Sequence, residues 1–358
     1  MSLRLLPSLL SSLLLLCVSC ERSSKPPAVV VEAFGPRTLI ELKQRITCGA
    51  GGPSGQIAGG TAAGKVFWAR VGGSPRALVS PKPLHDGPIA ALDYSADGTH
   101  LLSAGGKVVA YWEVGSGKLL RQVAGPQRVT SAALTAGAGE AYFGTDQGHV
   151  LRWRLDQPGA DGVKAFSCGG ARVHPARMNL PEPKRCPYGT YLETDAGLHV
   201  CLYPVTHLSV GQGILLRACR SGTLGFLDLK RLTTSYFQAG HLGVLVPVGA
   251  DQALLGRVDG QVRLHRRTES EPRRTFSPAA PAPTAAAAAG SLGAVATRGR
   301  ILIWHLDHEQ QACALSLPAG RRAIWIGLDG GAVPNALRAL YDDGALVSFK
   351  LAIRRRGG

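Results

Sequence analysis

The sequence has few aromatic and few acidic residues. Phe, Trp and Tyr make up 6% of its 358 residues, and 24 Asp and Glu stand against 40 Lys and Arg. The acidic deficit leaves a net charge of +16, which suits an anionic partner but says nothing about the fold. Hydrophobic residues still make up 45% of the chain, so a wholly disordered protein is excluded.

Long apolar runs are also missing. Past the first 20 residues no run of about 20 apolar residues occurs, which leaves no candidate for a membrane-spanning helix in that part of the chain. The 46 Gly and 23 Pro predict frequent turns and few long helices. We therefore expect an all-β protein.

The sequence lacks the usual short catalytic and cofactor motifs. It contains no GxSxG, HExxH or phosphate loop and no CxxCH haem signature, and its one CxxC pair is Cys17 and Cys20 of the N-terminal segment. No enzyme activity, cofactor or metal site is therefore predicted. His85 and Asp86 are adjacent and could act together in catalysis, but a similar Gly240-His241 pair in a second segment favours a structural role.

The N-terminus reads as an export signal. Met1 to Cys20 combine one positive charge, a short apolar run and small residues before the cysteine. Ser19-Cys20 resembles a bacterial lipobox, although Cys17 stands where Leu, Val or Ile is preferred. The resemblance implies a signal peptide over residues 1–19, a lipid on Cys20 and a tether over residues 20–27. A soluble exported protein and an uncleaved anchor remain alternatives.

Export bears on location and partners. A lipid on Cys20 would place the protein at the cell envelope, anchored in a membrane and facing the periplasm or the cell surface. Nucleic acid is then not an expected partner, and the basic charge is better matched to anionic headgroups or envelope polymers. Two dense basic clusters occur, at residues 263–274 (RLHRRTESEPRR) and at Arg354, Arg355 and Arg356.

One pattern recurs along the chain with a period near 42 residues. Each copy has a glycine at a tight turn, followed by an alternating apolar strand that often ends in an aromatic residue. The glycines are 42, 42, 74, 38, 39 and 45 residues apart, so five of the six intervals fit one four-stranded propeller blade. The seven turn glycines are Gly64, Gly106, Gly148, Gly222, Gly260, Gly299 and Gly344.

The stretches between these glycines also read as strands. Residues 89–94 predict a strand, residues 95–98 a turn and residues 100–104 its partner strand. The alanine run 285–289 falls where the innermost strand of its unit is expected. Apolar residues on both faces of the strands fit blades that pack against blades on either side.

These segments resemble WD repeats. His85-Asp86-Gly87 before IAALDYSADGTHLLSAGG, and Gly240-His241 before VLVPVGADQALLGRVDGQVRLH, have a His opening, a strand, a turn and a glycine-led strand. The resemblance spans residues 28–351. It implies a single domain, a seven-bladed β-propeller of four-stranded antiparallel blades that serves as a platform for protein partners.

The repeats depart from the family pattern. WD repeats join an opening His, a Ser or Thr, an Asp before the turn glycine and a closing Trp by hydrogen bonds. Counting five residues from each glycine puts the closing position at Ala69, Tyr111, Trp153, Leu227, His265, Trp304 and Phe349. No blade has both the Asp and the Trp. We therefore expect an incomplete network and blades stabilised mainly by apolar packing.

Ring closure has a candidate strand. Residues 29–34 (VVVEAF) are apolar and precede the first full blade, so they are expected to complete the last blade and remove its exposed edge. Residues 352–358 are interpreted as a basic tail. A closed ring of this kind is expected to be a monomer.

The long interval between Gly148 and Gly222 predicts an insertion. A Cys- and Pro-rich loop or hairpin over about residues 165–203, between blades 3 and 4, fits better than an eighth blade. Export permits disulfides, but their connectivity stays open. The insertion is a candidate recognition surface or merely a cross-linked cover for a blade edge. Candidate disulfide cysteines are Cys168, Cys186, Cys201 and Cys219.

Three functions are compatible with these features. The first is a noncatalytic scaffold or binding platform for an unidentified protein partner at the cell envelope. The second is a binder of an anionic envelope polymer or carbohydrate, favoured by the net charge and disfavoured by the low aromatic content. The third is a hydrolase or lyase of the propeller type, for which no convergent set of ionisable residues is visible.

Overall fold

The computed structural model describes most of the chain from Val29 onward. The predicted signal peptide, Cys20, the tether and most of the predicted insertion lie outside the described residues. Within the described part, no helix is long and apolar enough to cross a membrane. The described residues are 29–41, 44–78, 84–125, 127–156, 164–165, 185–186, 189–190, 204–231, 234–269, 271–276, 281–307, 311–329 and 334–355.

Among the residues that the structure describes, seven antiparallel sheets of four strands occur, with one 3-10 turn (Pro53–Gly55). This arrangement confirms the predicted all-β propeller of seven blades. In chain order the strands are β1 (Val29–Glu41); β2 (Ile46–Gly51), β3 (Gln56–Thr61), β4 (Val66–Arg70) and β5 (Arg76–Leu78) in blade 1; β6 (Ile89–Tyr94), β7 (His100–Gly105), β8 (Val108–Glu113) and β9 (Lys118–Ala124) in blade 2; β10 (Val129–Leu134), β11 (Glu140–Thr145), β12 (Val150–Arg154) and β13 (Lys164–Ala165) in blade 3; the pair β14 (Arg185–Cys186) and β15 (Gly189–Thr190); β16 (Val205–Gly211), β17 (Ile214–Cys219), β18 (Thr223–Asp228) and β19 (Thr234–Gln238) in blade 4; β20 (Leu242–Val248), β21 (Gln252–Arg257), β22 (Val262–Arg266) and β23 (Arg274–Phe276) in blade 5; β24 (Ala285–Ala289), β25 (Leu292–Ala296), β26 (Arg300–His305) and β27 (Gln311–Ser316) in blade 6; and β28 (Ala323–Asp329), β29 (Ala336–Tyr341) and β30 (Ala345–Arg355) in blade 7.

The blades close into a ring. The first strand of each blade contacts the first strand of the next, and β28 of blade 7 contacts β2 of blade 1. β1 is the outer strand of blade 7, where it pairs with β30. The prediction that the N-terminal strand completes the last blade is therefore confirmed. β30 continues to Arg355, so the propeller extends past the boundary predicted at residue 351 into the segment interpreted as a basic tail.

The extra segment lies between blades 3 and 4, as predicted. It follows β13, the fourth strand of blade 3, and precedes β16, the first strand of blade 4. Within it the structure describes one short antiparallel pair, β14 with β15. The long interval is therefore not filled by an eighth four-stranded sheet among the described residues.

Apolar packing between blades forms the core. Phe143 and Trp153 of blade 3 share a buried cluster with Leu102 and Val109 of blade 2. Similar clusters join blades 5 and 6 and blades 6 and 7. Apolar residues on both faces of a blade are thus explained by neighbours on both sides.

Threonines at the start of the innermost strands add ties between blades. Thr47 Oγ1 donates to the carbonyl of Ile89 in the next blade at 2.8 Å, and Thr284 Oγ1 donates to the carbonyl of Ala323 at 2.7 Å. Six of the seven innermost strands have a register shift directly after their first residue. Such bulges redirect side chains, and the strand periodicity alone did not reveal them.

Candidate functional site

The loops of the propeller divide between two faces of the ring. In a four-stranded meander, the turn between the second and third strands and the loop that leads into the first strand lie at the same end. All seven predicted turn glycines lie between the second and third strands of their blades. We call this end the glycine-turn face, and the end with the loops between first and second strands the opposite face.

Each turn glycine has a positive φ, between 58° and 97°. This region is strained for other residues. Space is also short at two of them: a Cβ on Gly64 would lie 2.5 Å from the carbonyl oxygen of His85, and one on Gly106 would meet Asp86 Oδ1. The turns of blade 1 and blade 2 therefore both pack tightly against the loop that leads into blade 2.

In several blades a main-chain hydrogen bond joins the turn to the loop that leads into the first strand of the same blade. The N–H of Ala62 donates to the carbonyl of Arg45 at 3.2 Å in blade 1, and the N–H of Asp146 donates to that of Arg128 at 3.0 Å in blade 3. Blade 5 repeats the bond at His241. Arg45 and Arg128 thus occupy equivalent positions, directly before the innermost strand.

The glycine-turn face carries an excess of positive charge. Three of its arginines are paired with aspartates, as Arg257 is with Asp259 at 2.7 Å. The remaining exposed cations of this face form no ion pair with a side chain of the described residues. The described acidic residues of the glycine-turn face that form no ion pair are Glu41, Asp86 and Asp146. These exposed cations are Arg45, Lys65, Lys107, Arg128, Arg220, Arg298 and Arg300.

The basic segment 263–274 is neutralised in part on the opposite face. Arg266 Nε lies 2.7 Å from Asp251 Oδ2, and Arg267 Nη1 lies 3.0 Å from Asp228 Oδ2. The densest run of arginines in the middle of the sequence is therefore not the main free basic surface. The sequence analysis did not predict the cations of the glycine-turn face as a group, because they are far apart along the chain. Each of them lies within a few residues of a turn glycine or of an innermost strand.

His85, the residue with a conceivable catalytic role, belongs to a buried network. Its Nε2 lies 3.0 Å from Ser103 Oγ, and its Nδ1 lies 3.3 Å from the carbonyl oxygen of Gly105. Trp112 Nε1 donates to the same Ser103 Oγ at 2.9 Å. Ser103 is fully buried and His85 is 6% exposed, so a substrate cannot reach these two side chains. Burial lowers the pKa of His85, which favours its neutral form.

This network corrects one sequence-based assignment. The closing residue of blade 2 is Trp112, not Tyr111, because two residues separate the paired Gly105 and Val108 in this turn, whereas five separate the paired residues of the corresponding turn in blade 3. Blade 2 therefore has the His, Ser and Trp of a WD repeat, with Gly105 where the Asp would stand. In blades 3 and 6 the indole N–H groups of Trp153 and Trp304 are buried without a hydrogen-bond partner among the described residues.

A cavity of about 290 Å³ is lined by residues of blades 1, 5, 6 and 7. Trp325, Gln56 and three alanines of β24 contribute to its wall, together with Asp329 and Arg338. Asp329 Oδ2 lies 2.7 Å from Arg338 Nη2, and the arginine is 15% exposed. Burial raises the pKa of Asp329, and the arginine opposes that shift. The cavity thus presents an internally paired charge rather than a free one.

The candidate disulfide cysteines are placed only in part. Cys168 and Cys201 lie outside the described residues, Cys186 ends β14, and Cys219 is buried at the end of β17. Their pairing stays a prediction. Burial raises the pKa of Cys48 to about 12, which makes this thiol unreactive at neutral pH. No group of three metal-ligating side chains occurs among the residues that the structure describes.

Comparison with known proteins gives the fold. No family model and no curated protein sequence matches the chain. The structure is a seven-bladed β-propeller, and it is similar to the crystal structure of the Cps50 (Swd1) β-propeller domain of Myceliophteria thermophila, with a TM-score of 0.66. The two sequences are 16% identical, and the match covers 88% of this chain and 99% of that one.

Proposed function

We propose that the protein is a noncatalytic interaction platform, held at the bacterial cell envelope by a lipid on Cys20, which binds an acidic protein partner on its glycine-turn face. The observation that carries the proposal is the group of exposed cations without ion-pair partners on that face, including Arg45, Arg128 and Arg298. A stiff ring of blades that displays many loops is well suited to binding a protein surface.

The insertion also supports binding on this face. It connects the fourth strand of blade 3 to the first strand of blade 4, and that connection begins and ends at the glycine-turn face. Replacing residues 166–203 with a short Gly-Ser link tests its part. Intact folding with loss of the partner assigns recognition to the insertion, whereas unchanged binding leaves it a structural addition.

The anchor is tested by fractionating cells. Changing Cys20→Ser should move the protein from the membrane fraction to the soluble fraction, because the lipid acceptor is lost. Cys17→Ser is the matched control and should leave the protein with the membranes. An unaltered protein that is already soluble contradicts the anchor.

The kind of partner is tested by affinity capture from envelope extract at low and at high salt. A defined protein that is lost when the extract is treated with protease supports the platform. A protease-resistant polymer released by salt supports the second candidate, an anionic envelope polymer, which the same exposed cations favour.

A further inference from the structure

The cavity lies on the inner side of the ring, near the opposite face. Most of its lining residues belong to the innermost strands of blades 5, 6, 7 and 1, which follow one another around the closed ring. Gly51 ends β2 and Asp329 ends β28, and both strands end at the opposite face. An inference about this cavity therefore depends neither on the partner proposed for the glycine-turn face nor on the lipid.

One face of blade 7 brings an aromatic ring and an ion pair to the cavity. Alternate residues of a strand share a face, so Trp325, Gly327 and Asp329 lie on the same side of β28. Arg338 of β29 is the register partner of Gly327, and its Nη2 lies 2.7 Å from Asp329 Oδ2. All four residues line the cavity. This wall thus combines an indole, a carboxylate and a guanidinium.

Two glycines fix the position of the Trp325 indole. A Cβ on Gly51 would overlap Cζ2 of this ring, and a Cβ on Gly327 would overlap Cη2. A larger residue at either position would displace the ring, so the bare backbone of the two glycines makes room for it. The aromatic surface is therefore in place before a ligand enters, which lowers the entropic cost of binding.

The wall contributed by blades 5 and 6 is apolar and made of small residues. It consists of Val246 of β20 and the alanines 286–288 of β24. The cavity volume of about 290 Å³ is close to the lower end of the range of about 300–1,000 Å³ that is typical of ligand sites. The cavity therefore has room for one ring-sized molecule and not for an extended chain.

We propose that the cavity binds one neutral sugar ring, which packs its apolar face on Trp325 and forms hydrogen bonds with Asp329 and Arg338. Two adjacent hydroxyl groups can donate one hydrogen bond to the carboxylate and accept one from the guanidinium, and hydrogen bonds to charged groups are the stronger ones. A charged ligand fits less well. The two side chains already compensate each other's charge, so a third charge would remain uncompensated in a partly buried site.

The test is an NMR titration of the purified full-length protein with glucose, galactose, mannose and N-acetylglucosamine, and with glucuronic acid as an anionic sugar. Ala288→Leu fills the cavity and leaves the ion pair intact. Its control is Ala90→Leu, because Ala90 is exposed on the innermost strand of blade 2 and does not line the cavity. Asp329→Asn frees the guanidinium of Arg338. Its control is Asp251→Asn, which breaks an ion pair of the same 2.7 Å length elsewhere on the opposite face.

We expect at least one neutral sugar to bind with a dissociation constant of about 1 mM, and more tightly than glucuronic acid. Ala288→Leu should weaken this binding by about 10-fold or more, whereas Ala90→Leu should not change it. Asp329→Asn should shift the preference toward glucuronic acid by about 10-fold, because the freed guanidinium then lacks an anion, and Asp251→Asn should leave the preference unchanged.

Lack of binding by all four neutral sugars overturns the inference, as does normal binding by a folded Ala288→Leu protein. Thermal melting shows whether each variant is folded. If Ala288→Leu does not fold, the preference of Asp329→Asn decides: a shift toward the anionic sugar supports the site, and an unchanged preference overturns it.

Discussion

Changing Ser103→Ala is expected to lower the free energy of unfolding by about 2–6 kcal/mol. The hydroxyl is the shared partner of His85 Nε2 and Trp112 Nε1, and these residues are 6% and 2% exposed. Each buried polar group left without its partner costs about 1–3 kcal/mol, and the substitution leaves two such groups.

A second buried serine provides the matched control. Ser131 in β10 is 6% exposed, but its Oγ has no hydrogen-bond partner among the described residues. Ser131→Ala therefore removes a similar atom without breaking a bond and should change stability little. Urea unfolding followed by tryptophan fluorescence compares the two variants. Equal midpoints would refute the structural role assigned to the network.

Three further perturbations follow from the structure. Gly106→Ala should lower the melting temperature more than Gly115→Ala, because the first position has φ +58° and meets a carboxylate whereas a Cβ at the second meets nothing within 4 Å. Thr284→Val should cost about 1 kcal/mol in urea unfolding, since the bond to the carbonyl of Ala323 links blades 6 and 7. Burial, assisted by a nearby arginine, lowers the pKa of His265 from 6.5 to about 4, so the unfolded chain binds its proton first; its contribution to stability is complete above pH 6.5 and decreases as the pH falls toward 4. Calorimetry across this range should show a weaker pH dependence in His265→Leu; an unchanged pH dependence would contradict the assignment.

The repeating parts of the fold could be predicted because each blade repeats the same physical requirement. A glycine is needed wherever the turn takes a positive φ, and alternating apolar residues mark the strand that follows. The insertion could therefore be placed between Gly148 and Gly222. The alanine run 285–289 became the innermost strand β24 for the same reason, since its position in the period outweighed its low-complexity appearance.

Details that depend on neighbouring blades could not be predicted. The closing residue Trp112 was displaced by one place because the turn at Gly106 has a different length from that at Gly148. The cross-blade bond of Thr284 depends on a carbonyl that lies about 40 residues away in the sequence. Net charge does not show which cations share a face, because the face of a loop depends on which strands of the blade that loop connects.

The most direct test of the platform compares capture of the partner by two charge-matched variants. One variant carries Arg45→Gln, Arg128→Gln and Arg298→Gln on the glycine-turn face, and the other carries Arg70→Gln, Lys118→Gln and Lys230→Gln on the opposite face. The account predicts that the first variant loses the partner captured from envelope extract and that the second retains it, with both proteins folded. Retention by both variants, or equal loss in both, would contradict recognition by the glycine-turn face.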